Sequence, residues 1–221
     1  MSILSLGYLR LRTAKHDEWD TFLRDVLGLM PADGPDAAAQ YYRTDKYPYR
    51  VVIVPGAGPG IEAIGFEVAD DRALAEIVRT VEAAGTSVEI GTSEEAAALL
   101  VSGVARFTDP AGSPVELFYG PILDHRPVVT PLVSGFVTGD MGMGHVVLKV
   151  DDITATSDFY RDVLGFHRRN TWHRPPMAME FLGCNPRHHT LALGAGMPSP
   201  SGLLHFMVEV ATIDDASPTA T

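Results

Sequence analysis

Residues 161–166 read Arg-Asp-Val-Leu-Gly-Phe, and residues 24–29 read Arg-Asp-Val-Leu-Gly-Leu, 137 positions earlier. The same offset carries Tyr8, in Leu-Gly-Tyr-Leu-Arg-Leu, to His145, in Met-Gly-His-Val-Val-Leu. Self-similarity at a fixed offset indicates a duplicated structural unit. The second copy has a potential metal ligand where the first has a phenol, so duplication followed by loss of chemistry in the first copy is the simplest interpretation. We therefore expect the active site in the second copy.

Composition limits the class of protein. The chain has 221 residues, of which 46% are hydrophobic and 20% charged, which is ordinary for a globular protein of one or two domains. Its net charge of -11 does not favour binding to nucleic acid or to an anionic membrane, so we expect a small organic partner. Cys184 is the only cysteine, and Arg10 and Arg12 lie too early for the apolar core of a secretion signal. These features predict a reduced, cytoplasmic protein without a membrane span.

Apolar periodicity predicts that the first module, residues 1–120, contains two βαβββ-like units. Its strands are predicted at 3–12, 41–43, 49–54, 64–68, 104–108 and 114–119. Its helices are predicted at about 19–27, ending at Gly28, and at 72–84. Residues 121–141 contain several prolines and glycines and are predicted to be a linker.

The second module, residues 142–221, repeats this pattern only in part. Its strands are predicted at 145–150, 179–184, 188–193 and 203–210, with a helix at 153–164. Residues 206–211, Phe-Met-Val-Glu-Val-Ala, resemble residues 64–69, Ile-Gly-Phe-Glu-Val-Ala, 142 positions earlier. The residues after 215 show no helical pattern, so we expect an α+β fold of repeated βαβββ units with an incomplete second module. On this basis we expect residues 1–120 to form a protected core and residues 142–221 to exchange amide hydrogens quickly or to self-associate.

Two histidines occupy corresponding strands of the second module. Strand alternation places His145 and His205 on the faces opposite to the aliphatic residues that pack under the helices. Two imidazoles that converge from pseudo-symmetric strands form half of a facial metal site. A lone strand histidine is more often a hydrogen-bonded interior or surface residue. The counterparts in the first copy, Tyr8 and Ala63, have both lost ligand character, which favours the metal interpretation.

Four other groups of residues have candidate roles. Of His188 and His189, alternation places only one on the cavity side, where it could transfer protons near neutral pH; solvent exposure is the alternative. Glu116 is expected to be structural or solvated, because the first module lacks the histidines of a metal site. Cys184 is expected to be a small buried residue without reactivity. Phe159 and Tyr160 belong to the apolar stripe of a helix and are expected in the core.

The second module resembles the type I extradiol ring-cleaving dioxygenases of the vicinal oxygen chelate superfamily, whose fold is also that of glyoxalases and bleomycin resistance proteins. The segments that carry this resemblance are 142–148, 159–166, 181–193 and 204–210. The first module resembles the catalytically silent N-terminal domain of two-domain 2,3-dihydroxybiphenyl 1,2-dioxygenases and of related steroid-catechol enzymes. The segments here are 5–9, 65–69, 107–112 and 114–120.

The resemblance implies an Fe(II) cofactor, with His145 and His205 as metal ligands and His189 as the catalytic proton-transfer residue. It also implies a third ligand, a glutamate on the closing strand of the second module, for which the sequence offers no counterpart. We therefore expect a C-terminally truncated member of the family with little or no activity. Glu209 lies on the same face as His205 but roughly 6–7 Å further along the strand, which makes joint chelation awkward.

The implied reaction is cleavage of a catechol next to its two hydroxyl groups. Its partners are a catecholic small molecule and dioxygen, and we expect a homo-oligomer. A biphenyl-like and a steroid-like diol both remain open. The alternative function is that of a non-catalytic remnant or binding module of the same fold.

Overall fold

The computed structural model describes residues 3–216, which form two β-sheets and four α-helices. The first sheet consists of β1 Ile3–Thr13, β2 Met30–Ala32, β3 Gln40–Arg43, β4 Val51–Pro55, β5 Gly60–Val68, β6 Glu89–Ile90, β7 Gly103–Thr108 and β8 Pro114–Tyr119. The second consists of β9 His145–Lys149, β10 His167–Arg174, β11 Met177–Gly183, β12 Leu191–Ala195 and β13 Leu203–Met207. The helices are α1 His16–Thr21, α2 Asp71–Ala83, α3 Ser93–Ala98 and α4 Ile153–Asp158.

The second sheet repeats the topology of the first. The strand orders are β2-β3-β4-β1-β5-β8-β7-β6 and β10-β11-β12-β9-β13. In both, the first strand pairs in parallel with the fourth and antiparallel with the fifth. The registers also match, since Leu9 faces Val51 in the first sheet and Val146 faces Leu191 in the second. Counterpart residues in the two modules can therefore be identified from strand pairing as well as from sequence.

The duplicated Arg-Asp-Val-Leu-Gly motif forms the same local structure twice. Helix α1 continues into a π-helical turn at Phe22–Val26, and α4 continues into one at Phe159–Val163. The glycines that follow, Gly28 and Gly165, adopt φ values of 73° and 77°. A left-handed residue just beyond a helix is the position at which glycine is favoured, because it has no Cβ to clash.

A continuous apolar core joins the two modules. The ring of Phe66 on β5 packs edge-on against Tyr160 and Phe166, with centroid distances of 6.3 and 5.5 Å. The Tyr160 hydroxyl donates a hydrogen bond of 3.0 Å to the buried Asp109 carboxylate of the first module. Phe159 and Tyr160 are buried, which confirms their predicted place in the core.

Several elements differ from the sequence-based prediction. The predicted helix 153–164 divides into α4 and its π-helical turn, and the strand predicted from 188 begins only at Leu191. The strand predicted to reach 210 ends at Met207, and Val210 instead forms an isolated bridge with Phe136 of the linker. Strands β2, β6 and β10 and helix α3 were not predicted. All eight residues of β10 are exposed, so the strand has no apolar alternation to reveal it.

The patternless tail predicted from residue 216 onward lies, beyond Ala216, outside the described residues. Within residues 3–216, no helix is both long and apolar enough to cross a membrane.

Candidate metal centre

The two candidate ligands converge on one face of the second sheet. His145 begins β9, and His205 lies in the antiparallel neighbour β13, where it faces Val147. The two histidines are therefore diagonal neighbours on adjacent strands, close enough for their side chains to meet. Their Nε2 atoms are 3.2 Å apart. Strand register thus brings together two imidazole nitrogens that are separated by 60 residues in the chain.

The separation of the two nitrogens suits an Fe(II) ion. Metal–nitrogen bonds of ~2.1 Å at a right angle place two imidazole nitrogens about 3 Å apart. Burial, together with His189, His205 and Arg187, lowers the pKa of His145 to about 3, and partial burial lowers the pKa of His205. Both rings are neutral at pH 7, which is the form that binds a metal ion. The Nδ1 atom of His145 is buried without a hydrogen-bond partner, so packing rather than a hydrogen bond there orients the ring.

His189 lies against this pair. It is in the turn before β12, and its ring centroid is 4.0 Å from that of His145 and 5.1 Å from that of Phe181. Burial, the neighbouring His188 and His205, and Arg187 lower the pKa of His189 to about 4. His188 is exposed. Only one of the two adjacent histidines faces the candidate site, although both precede β12 and so lie outside the strand whose alternation was the basis of that prediction.

Arg187 is a residue that the sequence did not single out. Its side chain is buried, Nη1 is paired with the Glu209 carboxylate, and Nη2 donates to the Val137 carbonyl oxygen at 3.2 Å. The arginine therefore connects the histidine-bearing turn, the segment after β13 and the linker. The partners lie 22 and 50 positions away along the chain, so no local sequence signal identifies the contact.

A third metal ligand is not apparent in the part of the chain that the structure describes. Among residues 3–216, no group of three or more His, Cys, Asp or Glu side chains is arranged to hold a metal ion. Glu209 is engaged by Arg187, in keeping with the expectation that it does not chelate together with His205. The two-histidine part of the site fits an iron ion, and these residues offer no carboxylate to complete it.

The remaining candidates have structural roles. Glu116 is buried, and its carboxylate accepts hydrogen bonds from Tyr8, Arg10 and Arg106. This settles the alternatives for Glu116 in favour of a structural residue. Cys184 is partly rather than fully buried, and burial raises the pKa of its thiol to about 11, which is consistent with the expected lack of reactivity.

Comparison with protein families identifies the class. The model of the glyoxalase/bleomycin resistance protein/dioxygenase superfamily matches residues 142–220. A second model, dihydroxybiphenyl dioxygenase BphC D1, matches residues 6–56. The repeated sheet topology and the paired histidines thus define a protein of this superfamily, as the sequence predicted.

Individual relatives define the family. The iron-dependent extradiol dioxygenase of Rhodococcus jostii (strain RHA1) is 41% identical over 226 residues, which cover 97% of this chain and 75% of the relative. The biphenyl-2,3-diol 1,2-dioxygenase of Metapseudomonas furukawaii is 37% identical, covering 97% and 73%. The crystal structure of BphC, a halotolerant catechol dioxygenase, has a TM-score of 0.91 at 36% identity, covering 97% of this chain and 72% of that one. The chain therefore belongs to the extradiol dioxygenases.

Proposed function

We propose that this protein opens the ring of a catechol next to its two hydroxyl groups, using dioxygen and an Fe(II) ion held by His145 and His205. The single observation that carries the proposal is the 3.2 Å approach of the two Nε2 atoms, both on neutral rings. The activities for which the relatives are named, iron-dependent extradiol cleavage and biphenyl-2,3-diol 1,2-dioxygenation, support it.

Each histidine has a distinct part in the proposed reaction. His145 and His205 hold the metal from adjacent strands, and the packing of His145 against His189 keeps its ring oriented. An Fe(II) ion held by these two imidazoles would supply the binding of the catechol and of dioxygen and the transfer of electrons between them. His189 is neutral at pH 7, so its ring accepts a proton from a catechol hydroxyl and returns it to the product.

Biphenyl-2,3-diol is the first substrate to test, because several relatives are named for it and another is named for 3-methylcatechol. The protein is loaded with Fe(II) under reducing conditions and mixed with the diol in air. Slow formation of a yellow dienoate with uptake of dioxygen is expected, because the described residues offer no third ligand, and His145→Ala or His205→Ala abolishes both. His173→Ala, which changes an exposed histidine on β10 away from the site, serves as the matched control. A folded, iron-loaded protein that consumes no dioxygen contradicts the proposal.

A second function is supported by the lack of a three-ligand cluster in the described residues. It is that of a non-catalytic module that binds a metal or an aromatic molecule. Calorimetric titration with Fe(II) or Zn(II) separates the two. Stoichiometric binding that His145→Ala removes, without turnover, supports the binding module. Stoichiometric binding with turnover supports the enzyme, and no heat at all argues for a remnant without a site.

We also propose a division of the chain into two modules and a linker. Residues 1–120 form the non-metal module, 121–141 the linker and 142–221 the metal module.

We also propose that the protein is a cytoplasmic homo-oligomer. The free thiol of Cys184 supports the cytoplasmic location. The exposed edge strand β10 supports self-association. In an acidic chain this strand is basic and carries the exposed Trp172, so it complements the acidic surface of a second copy. Light scattering of the wild type and of Arg168→Glu/Arg169→Glu tests this assignment.

A further inference from the structure

A polar groove lies where the two modules meet. It has a volume of about 340 Å³ and is lined by the ends of β1 and β9 and by the turns before β5, β8 and β13. The two modules are in contact here, since a Cβ atom at Gly202 would lie 3.8 Å from the Ile61 side chain. None of His145, His189 and His205 lines the groove, which is therefore a separate site.

Two cations occupy corresponding places in this groove. Arg12 and Lys149 are 137 positions apart, which is the offset of the duplicated motif. Arg12 pairs with Gly60 on β5, and the backbone N–H of Lys149 donates to the Gly202 carbonyl oxygen before β13. The end of each module's first strand thus places one cation at the shared groove.

The donors of these two cations are only partly used. Nε of Arg12 is 3.1 Å from Oε1 of Glu62, whereas neither Nη group of Arg12 donates a hydrogen bond within residues 3–216. Lys149 is paired with Asp151, whose side chain is 91% exposed. Water and salt screen such an open ion pair, so it is weak. Lys149 can therefore exchange Asp151 for another anion.

Three serine hydroxyls lie beside the cations. Ser113 is 8% exposed and lines the groove, yet its hydroxyl has no hydrogen-bond partner in the part of the chain that the structure describes. The hydroxyls of Ser199 and Ser201 both donate to the Leu203 carbonyl oxygen, at 2.7 and 3.3 Å. Buried polar groups in proteins are nearly always hydrogen-bonded. The free donor of Ser113 therefore indicates that an acceptor binds in the groove.

This set of donors suits a phosphate group. Its oxygens accept charge-assisted hydrogen bonds from a guanidinium and an ammonium group, and further bonds from hydroxyls. The chain carries a net charge of -11, so two cations on one groove do not follow from a generally basic surface. A cavity of about 150 Å³ holds benzene. The groove is about twice as large and has room for a phosphate with a small organic group attached.

We propose that this groove binds a phosphate group, as inorganic phosphate or as a small phosphate monoester, between Arg12 of the first module and Lys149 of the second. Ser113 donates its free hydroxyl to the same anion. It also ends the turn in which Asp109 accepts the Tyr160 hydrogen bond, so the anion binds beside an existing contact between the modules. Because both modules contact it, the ligand stabilises their junction.

Calorimetric titration of the full chain, without added metal, tests the site. One equivalent of inorganic phosphate is expected to bind. Arg12→Gln and Lys149→Gln should each weaken this binding by about tenfold or more, because each removes a charge-assisted hydrogen bond. Arg72→Gln is the matched control, since it removes the same charge from an exposed arginine of α2 that does not line the groove. Phenyl phosphate distinguishes the two sources: tighter binding than that of phosphate indicates a monoester, and equal or weaker binding indicates inorganic phosphate.

Asp151→Asn gives a test in the opposite direction. It frees Lys149 and changes a side chain that is 91% exposed, so the fold is retained. Tighter phosphate binding by this variant supports the proposal, and unchanged or weaker binding overturns it. The proposal is also overturned if the wild type binds no phosphate, or if Arg12→Gln and Arg72→Gln weaken binding equally. Acetate that binds as tightly as phosphate would overturn the assignment to phosphate.

Thermal unfolding provides a second readout, of the junction itself. Phosphate raises the Tm of many proteins because it is excluded from their surfaces. The wild type is therefore compared with Arg12→Gln/Lys149→Gln, in which this general effect remains. A larger rise in Tm for the wild type than for the double variant supports the proposal, and equal rises overturn it.

Discussion

The ring of His189 lies 4.0 Å from the ring of His145, and the two planes are tilted by 32°. In the first module Tyr49 and Tyr8 occupy the corresponding places, with ring centroids 5.4 Å apart and planes tilted by 60°. Tyr49 is two residues before the Val51 that faces Leu9, as His189 is two residues before Leu191. The contact between these two rings is therefore a property of the duplicated scaffold. Only the second module uses imidazoles in both places, and so only there can the contact support proton transfer beside a metal.

Replacement of His189 should separate chemistry from metal binding. His189→Ala is expected to lower the rate of ring opening by about 10²–10⁴-fold, the usual contribution of a positioned acid or base. Calorimetric affinity for Fe(II) should fall far less than the rate, because both Nε2 atoms are retained and only the packing of the His145 ring is loosened. His173→Ala is the control, since that side chain is exposed on β10, away from the site. Equal losses in the two variants would show that His189 has no special role.

The Arg187–Glu209 ion pair should stabilise the segment after β13. Its first-module counterpart is the hydrogen bond of 2.6 Å from the Tyr47 hydroxyl to Glu67. We expect Arg187→Gln to lower the free energy of unfolding by about 0.5–2 kcal/mol, less than a fully buried hydrogen bond to a charged group contributes, because the Glu209 side chain is 43% exposed. Arg187→Tyr, which copies the first module, should recover part of the loss. Urea denaturation measures both.

A double-mutant cycle with Glu209→Gln identifies the cause. If Arg187 acts through this carboxylate, Arg187→Gln should cost much less stability once Glu209 has been replaced. Additive losses would place the effect of Arg187 at another contact, such as the Val137 carbonyl.

Sequence patterns identified the two strand histidines as candidate ligands. They did not identify the ion pair that holds the neighbouring segments together. His145 and His205 were found because duplication and alternation are local signals. The Arg187–Glu209 pair depends on a fold that brings distant segments together. Helix α3 was missed although its capping box, Thr92 with Glu95, is readable in the sequence. Strand β10 was missed because its pairing with β11, and not burial, defines it.

Stability should fall in mild acid because the His145 imidazole is buried and the His189 imidazole is partly buried. The folded-state pKa values of His145 and His189 are about 3 and about 4, whereas an unfolded histidine titrates near ~6.5. Below that pH the unfolded chain binds protons that the folded chain does not. These histidines therefore stabilise the fold fully above pH ~6.5, and their contribution declines as the pH falls towards 4. Thermal unfolding at pH 7.5 and 5 measures this. His145→Gln/His189→Gln should show a smaller decrease than the wild type, and an equal decrease would assign the effect to other groups.

The Tyr160–Asp109 hydrogen bond should couple the two modules. Tyr160 is fully buried, and Asp109 also accepts backbone hydrogen bonds from Ala111 and Ser113. Tyr160→Phe keeps the ring packing against Phe66 and removes only the hydroxyl. We expect a loss of about 1–3 kcal/mol, because a buried acceptor loses one of its donors. A single unfolding transition should persist. Separate transitions for the two modules would mean that this bond, rather than the shared apolar core, is what joins them.

Hydrogen exchange should distinguish the fifth strands of the two sheets. Strand β5 is paired on both sides, with β1 and with β8, whereas its counterpart β13 has β9 as its only neighbour among residues 3–216. Exposed strand edges open and exchange more readily than interior strands. We therefore expect amides in Leu203–Met207 to exchange faster than those in Gly60–Val68. Protection should recover at Ala211, whose N–H donates to the Gly135 carbonyl oxygen beside the Phe136–Val210 bridge. Mass spectrometry of peptides from the monomer measures this. Equal protection of both strands in the monomer would contradict an open edge, and protection that appears only at high protein concentration would identify β13 as a surface for self-association.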